Sequence, residues 1–163
     1  MHEHKAHAPA HVACAVVTIS DSRTEDTDES GALIRKMLAE GGHEVAFYAL
    51  VKDDPSQIMA AVDRGVAQVD VVITNGGTGL APHDVTIETL EGKMEKRLPG
   101  FGELFRMLSW RDIGSAAMLS RAVAGTYRGK LVFCLPGSTE ACALAVKSLI
   151  LPELGHAVGV MRR

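Results

Sequence analysis

Residues 12–19 have the sequence Val-Ala-Cys-Ala-Val-Val-Thr-Ile and are apolar at almost every position. A strand with one face in water alternates apolar and polar residues. A strand of a parallel sheet is covered by helices on both faces and stays apolar throughout. This stretch therefore predicts a central strand of a parallel sheet.

Helical and strand patterns alternate along the rest of the chain. Further strands are predicted at residues 44–51, 69–74 and 130–135, and helices at residues 30–40, from Asp54-Pro55, from about Val85, at 99–110, and at 140–160 with an interruption at Pro152. Residues 116–125 are expected to carry an extended segment. Alternating strands and helices imply parallel strands with right-handed crossovers. We predict an α/β fold with a three-layer, doubly wound, mostly parallel sheet, which is Rossmann-like.

Length and composition exclude several classes of protein. The 163 residues fit one domain, expected at residues 12–163 after a flexible N-terminal tail at 1–11 that contains four histidines. A net charge of −3 argues against nucleic-acid binding. The sequence contains no run of about 18 apolar residues, so no membrane span is expected, and the N-terminus does not resemble a signal peptide. We expect a cytoplasmic protein whose three cysteines are buried free thiols.

Loops that follow parallel strands meet at one edge of the sheet, where ligands bind. This rule selects residues 20–27, 52–54, 75–84 and 136–139. The loop Gly76-Gly77-Thr78-Gly79 can present backbone N–H groups to an anion such as a phosphate. The alternative is a glycine turn without a ligand. The loop is not a P-loop, because no Gly-Lys-Ser/Thr sequence follows it, and no GxGxxG motif follows the first strand.

Asp53 and Asp84 are each located in one of these loops. Two carboxylates beside a phosphate would repel it unless a Mg²⁺ ion lay between them. The alternative is that they cap helices: Asp84 directly precedes a helix, and neighbouring Asp54 is expected to cap one, with Gln57 completing a capping box. The turn at residues 136–139 could bind a phosphate or an adenine edge, or be an ordinary turn. His83 is expected to be an exposed loop residue.

Six segments together resemble one known family. The chain is similar to the MoaB/Mog family of molybdenum cofactor biosynthesis proteins, which is related to the gephyrin G domain, and it is closest to the MoaB branch. The segments, in family order, are Thr18-Ile19-Ser20-Asp21, Thr74-Asn75-Gly76-Gly77-Thr78-Gly79, Asp84-Val85-Thr86, Pro99-Gly100-Phe101-Gly102-Glu103, Met118-Leu119-Ser120-Arg121 and Leu135-Pro136-Gly137-Ser138.

The resemblance implies an enzyme that adenylylates molybdopterin with ATP and releases pyrophosphate, with Mg²⁺ required. Asp53 and Asp84 align with the family's catalytic, metal-binding acidic pair. The nucleotide site is implied at Ser20, Gly76, Gly77, Thr78, Gly79, Pro136 and Gly137, and the pterin site at Ser109, Ser120, Arg121 and Ser138, with Arg121 as a candidate for the pterin phosphate. The family also implies a homo-oligomer, a trimer or hexamer, for which Phe101, Phe105 and Trp110 could supply contact surface.

Two other functions remain open. The chain could be a non-catalytic molybdopterin-binding scaffold of cofactor assembly, because Cys134 stands where Mog-like members often carry Asn. The intact pair of Asp53 and Asp84 favours the enzyme. A generic nucleotide-binding regulator is the third hypothesis.

Overall fold

The computed structural model describes residues 8–163, so the prediction of a flexible tail at residues 1–7 lies outside the described part. The strands are β1 Ala13–Ile19, β2 Glu44–Val51, β3 Val71–Asn75, β4 Lys96–Arg97, β5 Val123–Tyr127 and β6 Lys130–Leu135. The helices are α1 Glu29–Glu40, α2 Pro55–Val66, α3 Thr86–Leu90, α4 Pro99–Ile113 and α5 Thr139–Met161. Short 3-10 helices span Glu25–Thr27, Glu91–Lys93 and Gly114–Leu119.

All six strands form one sheet in the order β2-β1-β3-β6-β5-β4. The first four of these are parallel, and β5 and β4 extend the sheet in antiparallel pairing. Helices cover both faces, which confirms the predicted doubly wound α/β fold. The parallel strands place the loops after β1, β2, β3 and β6 at the same edge.

Both faces of strand β1 are buried, which explains why successive residues of the segment 12–19 are apolar. Cys14 and Val16 belong to a core cluster with α1, α4 and α5, whereas Ala15 and Val17 belong to a second cluster with α2 and α3. Each face of β1 is thus buried against helices, as the sequence predicted. The three cysteines are free and buried, as predicted, and burial raises the pKa of Cys14, Cys134 and Cys142 to about 12.

The extended segment expected at residues 116–125 is wrong for its first part. Residues up to Leu119 form the 3-10 helix Gly114–Leu119, and the strand begins only at Val123. The sequence Ala-Ala-Met-Leu is a short apolar run with no β-branched residue, and such runs do not distinguish helix from strand. Helix α4 also continues past its expected end at Trp110 to Ile113, because no Gly or Pro occurs between Trp110 and Gly114.

The interruption expected at Pro152 takes the form of a π-helical turn that ends just before the proline, and the helix does not break. Helix α5 runs through the proline, preceded by a π-helical turn at Val146–Ile150 in which the Leu151 N–H donates to the Val146 carbonyl. A π turn shifts the carbonyls that a proline ring would otherwise meet, so the helix continues. By length and mean hydropathy α5 could cross a bilayer. Here, however, its buried residues complete a core cluster of this domain: Cys142, Ala145, Val146, Ile150, Leu154 and Val158.

Two surface features concern earlier expectations. Phe101 and Phe105 are buried in the core, so of the three aromatic residues expected on a contact surface only Trp110 is exposed, at 61%. In the described end of the N-terminal segment, the His11 ring lies 2.5 Å from the Gly42 carbonyl oxygen.

Candidate functional site: a nucleotide-sized cavity

A cavity of about 440 Å³ lies at the carboxyl ends of the parallel strands. All four selected loops contribute to its wall, as the topology predicted. Every residue implied for nucleotide binding, together with both aspartates of the pair, lines this one cavity. The lining residues are Ile19, Ser20, Asp21, Ser22, Arg23, Asp53, Gly76, Gly77, Thr78, Gly79, His83, Asp84, Pro136 and Gly137.

The glycine loop approaches its neighbours too closely for side chains. Gly76 has a φ of +98°, and a Cβ there would lie 2.2 Å from the Ile19 carbonyl oxygen. Gly77 has a φ of +69°, and its Cβ would lie 2.2 Å from the Thr86 hydroxyl. That hydroxyl donates to the Gly76 carbonyl at 2.9 Å, and the Thr86 N–H donates to the Gly77 carbonyl at 3.0 Å. The first residue of α3 therefore fixes the start of the loop.

The N–H groups of Gly77, Thr78 and Gly79 donate to no atom within residues 8–163. Unpaired backbone N–H groups in a loop with positive φ form an anion-binding concavity. The loop can therefore accept a phosphate, which a simple glycine turn would not require.

Asp53 lines the cavity, and one of its carboxylate oxygens is unsatisfied within residues 8–163. Its Oδ1 is buried and has no hydrogen-bond partner among the described residues. A Cβ on Gly77 would lie 3.0 Å from that oxygen. Burial raises the pKa of Asp53, the charges of Asp21 and Asp84 raise it further, and His83 opposes them. A buried carboxylate oxygen without a donor is stabilised by a cation or a proton.

Asp84 is not a helix cap. Helix α3 begins at Thr86 with Val85 at the N-cap position and no side-chain capping bond. The Asp84 Oδ2 instead accepts the Ala81 N–H at 3.1 Å and closes the loop on itself. A Cβ on Gly79 would lie 2.6 Å from the same oxygen, so this carboxylate also lies against the glycine loop. His83 is exposed, as expected, and its Nε2 lies 3.9 Å from the Asp84 Oδ1.

Asp54 does cap α2, by accepting the Gln57 N–H at 3.1 Å. The expected capping box is wrong in one contact: the Gln57 side chain accepts the Lys52 N–H at 3.2 Å. The Asp54 N–H is already donated to the Lys52 carbonyl at 2.7 Å, so it is not available to Gln57. Neighbouring Asp53 and Asp54 thus differ, since only Asp54 has its carboxylate satisfied by the helix.

A buried polar network below the cavity was missed by the sequence analysis. Asn75, the last residue of β3, accepts from the Ser30 hydroxyl at 2.7 Å and donates to the Thr18 hydroxyl at 3.0 Å. Arg23 donates to the Ser30 hydroxyl and to the Gly137 carbonyl at 2.9 Å. The network joins the loops after β1, β3 and β6. A polar Asn at the end of an otherwise apolar strand was the signal that could have revealed it.

Asp28 anchors this network from α1. It is buried, accepts the Gly31 N–H at 3.0 Å as the cap of α1, and accepts the Tyr48 hydroxyl at 2.5 Å. Arg23 lies 3.6 Å from the same carboxylate. Burial, followed by this hydrogen bond, raises the pKa of Tyr48 well above its usual value. A charged group buried with donors on several sides holds the Arg23 loop in one position.

Of the four residues implied for pterin binding, Arg121 lines a cavity and the three serines do not. Ser109 is buried and its hydroxyl donates to the Phe105 carbonyl at 2.8 Å. Ser138 caps α5 by accepting the Ala141 N–H at 3.2 Å. Ser120 is partly exposed at the end of the 3-10 helix, and its carbonyl lies 3.4 Å from Arg106. Arg121 alone combines a cavity wall with contact to the glycine loop.

A second cavity, with a volume of about 490 Å³, has Arg121 in its wall. Arg121 connects it to the first cavity, because its guanidinium donates to the carbonyls of Thr78 at 3.0 Å and Gly79 at 2.6 Å. Three arginines and two glutamates line it, and one of these pairs, Arg97 and Glu91, lies 3.9 Å apart. Its lining residues are Ile87, Glu91, Arg97, Leu98, Pro99, Gly102, Glu103, Arg106, Arg121, Ala122, Val123 and Ala124.

Comparison with known proteins places these cavities in context. The profile of a family described as a probable molybdopterin binding domain matches residues 15–156. The chain is 56% identical over 157 residues to molybdenum cofactor biosynthesis protein B of Bacillus cereus, covering 94% of this chain and 93% of that protein. A crystal structure of a molybdenum cofactor biosynthesis protein B has a TM-score of 0.92 at 54% identity, covering 96% of this chain and 99% of that chain. The tungsten cofactor synthesizing protein MoaB from Pyrococcus furiosus has a TM-score of 0.88 at 36% identity, covering 96% and 100%.

Proposed function

Because the chain belongs to the family of probable molybdopterin binding domains, we propose that it adenylylates molybdopterin with ATP. The chain has a role in molybdenum cofactor biosynthesis, as its resemblance to MoaB and Mog proteins indicated. One observation supports the proposal above all: the glycine loop, with its unpaired backbone N–H groups within the described residues, and the carboxylates of Asp53 and Asp84 line the same cavity. A phosphate cradle alone would serve a binding protein. The adjoining Asp53 and Asp84 add what phosphoryl chemistry needs.

The proposed reaction asks little covalent chemistry of the protein. An oxygen of the molybdopterin phosphate forms a bond to the α-phosphorus of ATP while the bond from that phosphorus to pyrophosphate breaks. The N–H groups of Gly77, Thr78 and Gly79 would bind and orient the nucleotide phosphates. Positioning and electrostatic stabilisation account for most of the catalysis in such a transfer.

The pair of Asp53 and Asp84 fits a Mg²⁺ ion. Asp53 offers a buried, unpartnered oxygen, and both carboxylates lie where glycine leaves the space of a side chain. The described residues contain no cluster of three or more His, Cys, Asp or Glu that could hold a metal alone. Mg²⁺ commonly takes one or two carboxylates together with water and substrate phosphates. When bound, it would neutralise negative charge on the phosphate oxygens.

The second cavity is our candidate for the pterin. It adjoins the glycine loop through Arg121, so a ligand there would lie next to the nucleotide. Arg106, together with Arg97 that lies 3.9 Å from Glu91, would provide positive charge for the anionic phosphate of molybdopterin. Leu98 and Ala122 would provide apolar surface for a ring. Of the residues that the resemblance implies for the pterin, Arg121 lines this cavity.

We also propose that the chain forms a homo-oligomer. An apolar patch extends over α4 and the following 3-10 helix, and a patch of this kind commonly marks a protein interface. Its exposed members are Leu104, Met107, Trp110, Ile113, Met118 and Leu119.

A non-catalytic scaffold is the second candidate function. Cys134 favours it, because this thiol is fully buried in the sheet and lines neither cavity, so it offers no polar contact to a pterin. The two functions are separated by mixing the protein with ATP, molybdopterin and Mg²⁺ and measuring pyrophosphate. Mg²⁺-dependent release is expected of the enzyme. Binding of molybdopterin without any release would support the scaffold instead.

A further inference from the structure

Arg121 uses all three nitrogens of its guanidinium group on the protein itself. Its Nε donates to the Thr78 carbonyl at 3.0 Å and one terminal nitrogen donates to the Gly79 carbonyl at 2.6 Å. The other terminal nitrogen forms an ion pair with Glu88 of α3. A further contact from a terminal nitrogen to the second Glu88 oxygen, at 3.5 Å, brings the number of occupied N–H groups to four of five, so at most one is left for a phosphate.

These contacts determine the direction of the loop's donors. The C=O and N–H of one peptide group point in opposite directions because the group is planar and trans. Holding the carbonyls of Thr78 and Gly79 on Arg121 therefore turns the N–H groups of Gly79 and Leu80 away from Arg121. Gly79, which carries the first of these N–H groups, lines the nucleotide cavity.

Helix α3 fixes the loop at both ends. Thr86, its first residue, binds the carbonyls of Gly76 and Gly77. Glu88, two residues further, orients the guanidinium that binds the next two carbonyls. The hydrogen bond from Arg121 lowers the pKa of Glu88, so the pair stays charged at neutral pH. Four successive carbonyls of the loop are thus held from one short helix and its arginine partner.

We propose that Arg121, oriented by Glu88, is a positioning residue that holds the glycine loop open toward the nucleotide, and that it is not a ligand of the pterin phosphate. The proposal rests on the nucleotide binding proposed above. It gives Arg121 a role different from the one that the family resemblance implies. Lysine cannot replace it, because a single ammonium lacks the planar fork that spans two carbonyls and a carboxylate.

The test is Arg121→Lys in the full chain, with calorimetric binding of ATP and of molybdopterin measured separately. We expect ATP affinity to fall about ten-fold while molybdopterin affinity stays within two-fold, on the scale of one lost set of charge-assisted hydrogen bonds. In turnover, KM for ATP should rise and KM for molybdopterin should not. A loss of overall stability alone would not produce this selectivity between substrates.

Arg162→Lys is the matched control. Arg162 also pairs with a carboxylate, Asp70, at 2.7 Å, but that contact lies at the amino end of β3, opposite the loop. Its ATP affinity should match that of the wild type. If Arg121→Lys does not fold, Glu88→Gln keeps the arginine and removes only its charged partner. A smaller loss of ATP affinity, in the same direction, is then expected.

Weakened molybdopterin binding with unchanged ATP binding would overturn the proposal and restore Arg121 as a phosphate ligand. The backbone amide NMR signals of Gly76, Gly77 and Gly79 in the ligand-free protein give an independent measurement. They should shift in Arg121→Lys and stay in place in Arg162→Lys. Unmoved signals in Arg121→Lys would also overturn the proposal. Shifted signals in a protein whose wild type binds no ATP would refute the proposed function and leave the hold of Arg121 on the loop intact.

Discussion

The parallel and antiparallel parts of the sheet differ in how they hold the residues that the two proposed substrates need. Around β2-β1-β3-β6, four loops meet because parallel strands end at one edge, and the cavity wall is mostly backbone and short side chains. Around β5-β4 and α4, the second cavity is lined by long arginines, and large apolar side chains face outward. Topology fixes the first region, whereas individual side chains determine the second.

The largest expected effect tests the acidic pair of the parallel part. Asp84→Asn keeps an oxygen for the Ala81 N–H but removes a charge from the proposed Mg²⁺ site. Pyrophosphate release should fall by about 100-fold, or about 2.7 kcal/mol of barrier. Asp54→Asn is the control, since Asn caps a helix nearly as well as Asp and this carboxylate is already bound by α2. Identical Mg²⁺ dependence in wild type and Asp84→Asn would exclude the metal role.

A smaller loss is expected from the glycine loop. Gly77→Val places a branched side chain at a φ of +69° and against the Thr86 hydroxyl. Calorimetry should show ATP affinity about ten-fold lower, or about 1.4 kcal/mol. Gly92→Val is the matched control, because a Cβ at Gly92 meets nothing within 4 Å. Unchanged ATP binding in Gly77→Val would remove the loop from the site and weaken the contrast between the two regions.

The antiparallel part is tested by its exposed apolar patch. Trp110→Asp puts a charge in the middle of that patch, and we expect self-association to weaken several-fold because the buried apolar area is lost. Light scattering at micromolar concentration measures the mass. Ser56→Asp, an exposed change on α2, should leave the mass of the oligomer unchanged. A monomeric wild type would contradict the proposed assembly.

The smallest effect concerns stability rather than activity. Burial and two neighbouring carboxylates raise the pKa of Asp53, so its ionisation opposes folding at neutral pH. Asp53→Asn should therefore make the ligand-free protein more stable than the wild type at pH 7. The gain should disappear at a pH well below 3.8, where the carboxyl is protonated in both states. Denaturant unfolding at both pH values measures this, and a less stable variant at pH 7 would contradict it.

The same contrast explains what the sequence could predict. Apolar runs and helix signals in the parallel part identified four strands and the loops that form the nucleotide cavity, since the edge rule needs no side-chain detail. The conformation of residues 114–119 was beyond reach, because an apolar run does not specify helix or strand. The contacts of Arg121 and Arg23 could not be predicted either. Each arginine donates to a backbone carbonyl far away in the chain, at Gly79 and Gly137, and every residue has a carbonyl, so the sequence does not indicate which one is bound.

Strand β3 and the glycine loop that follows it differ strongly in the dynamics that we expect of them. The five residues of β3 are buried between β1 and β6, and Gly76 still donates its N–H to the Leu135 carbonyl at 3.0 Å. From Gly77 to Gly79 the N–H groups have no acceptor within the described chain. Amides of β3 should therefore exchange with solvent only when the whole domain unfolds, while those of the next three residues exchange without unfolding. The boundary between global and local opening lies within a single peptide unit, so a ligand can reach the loop without any loosening of the core.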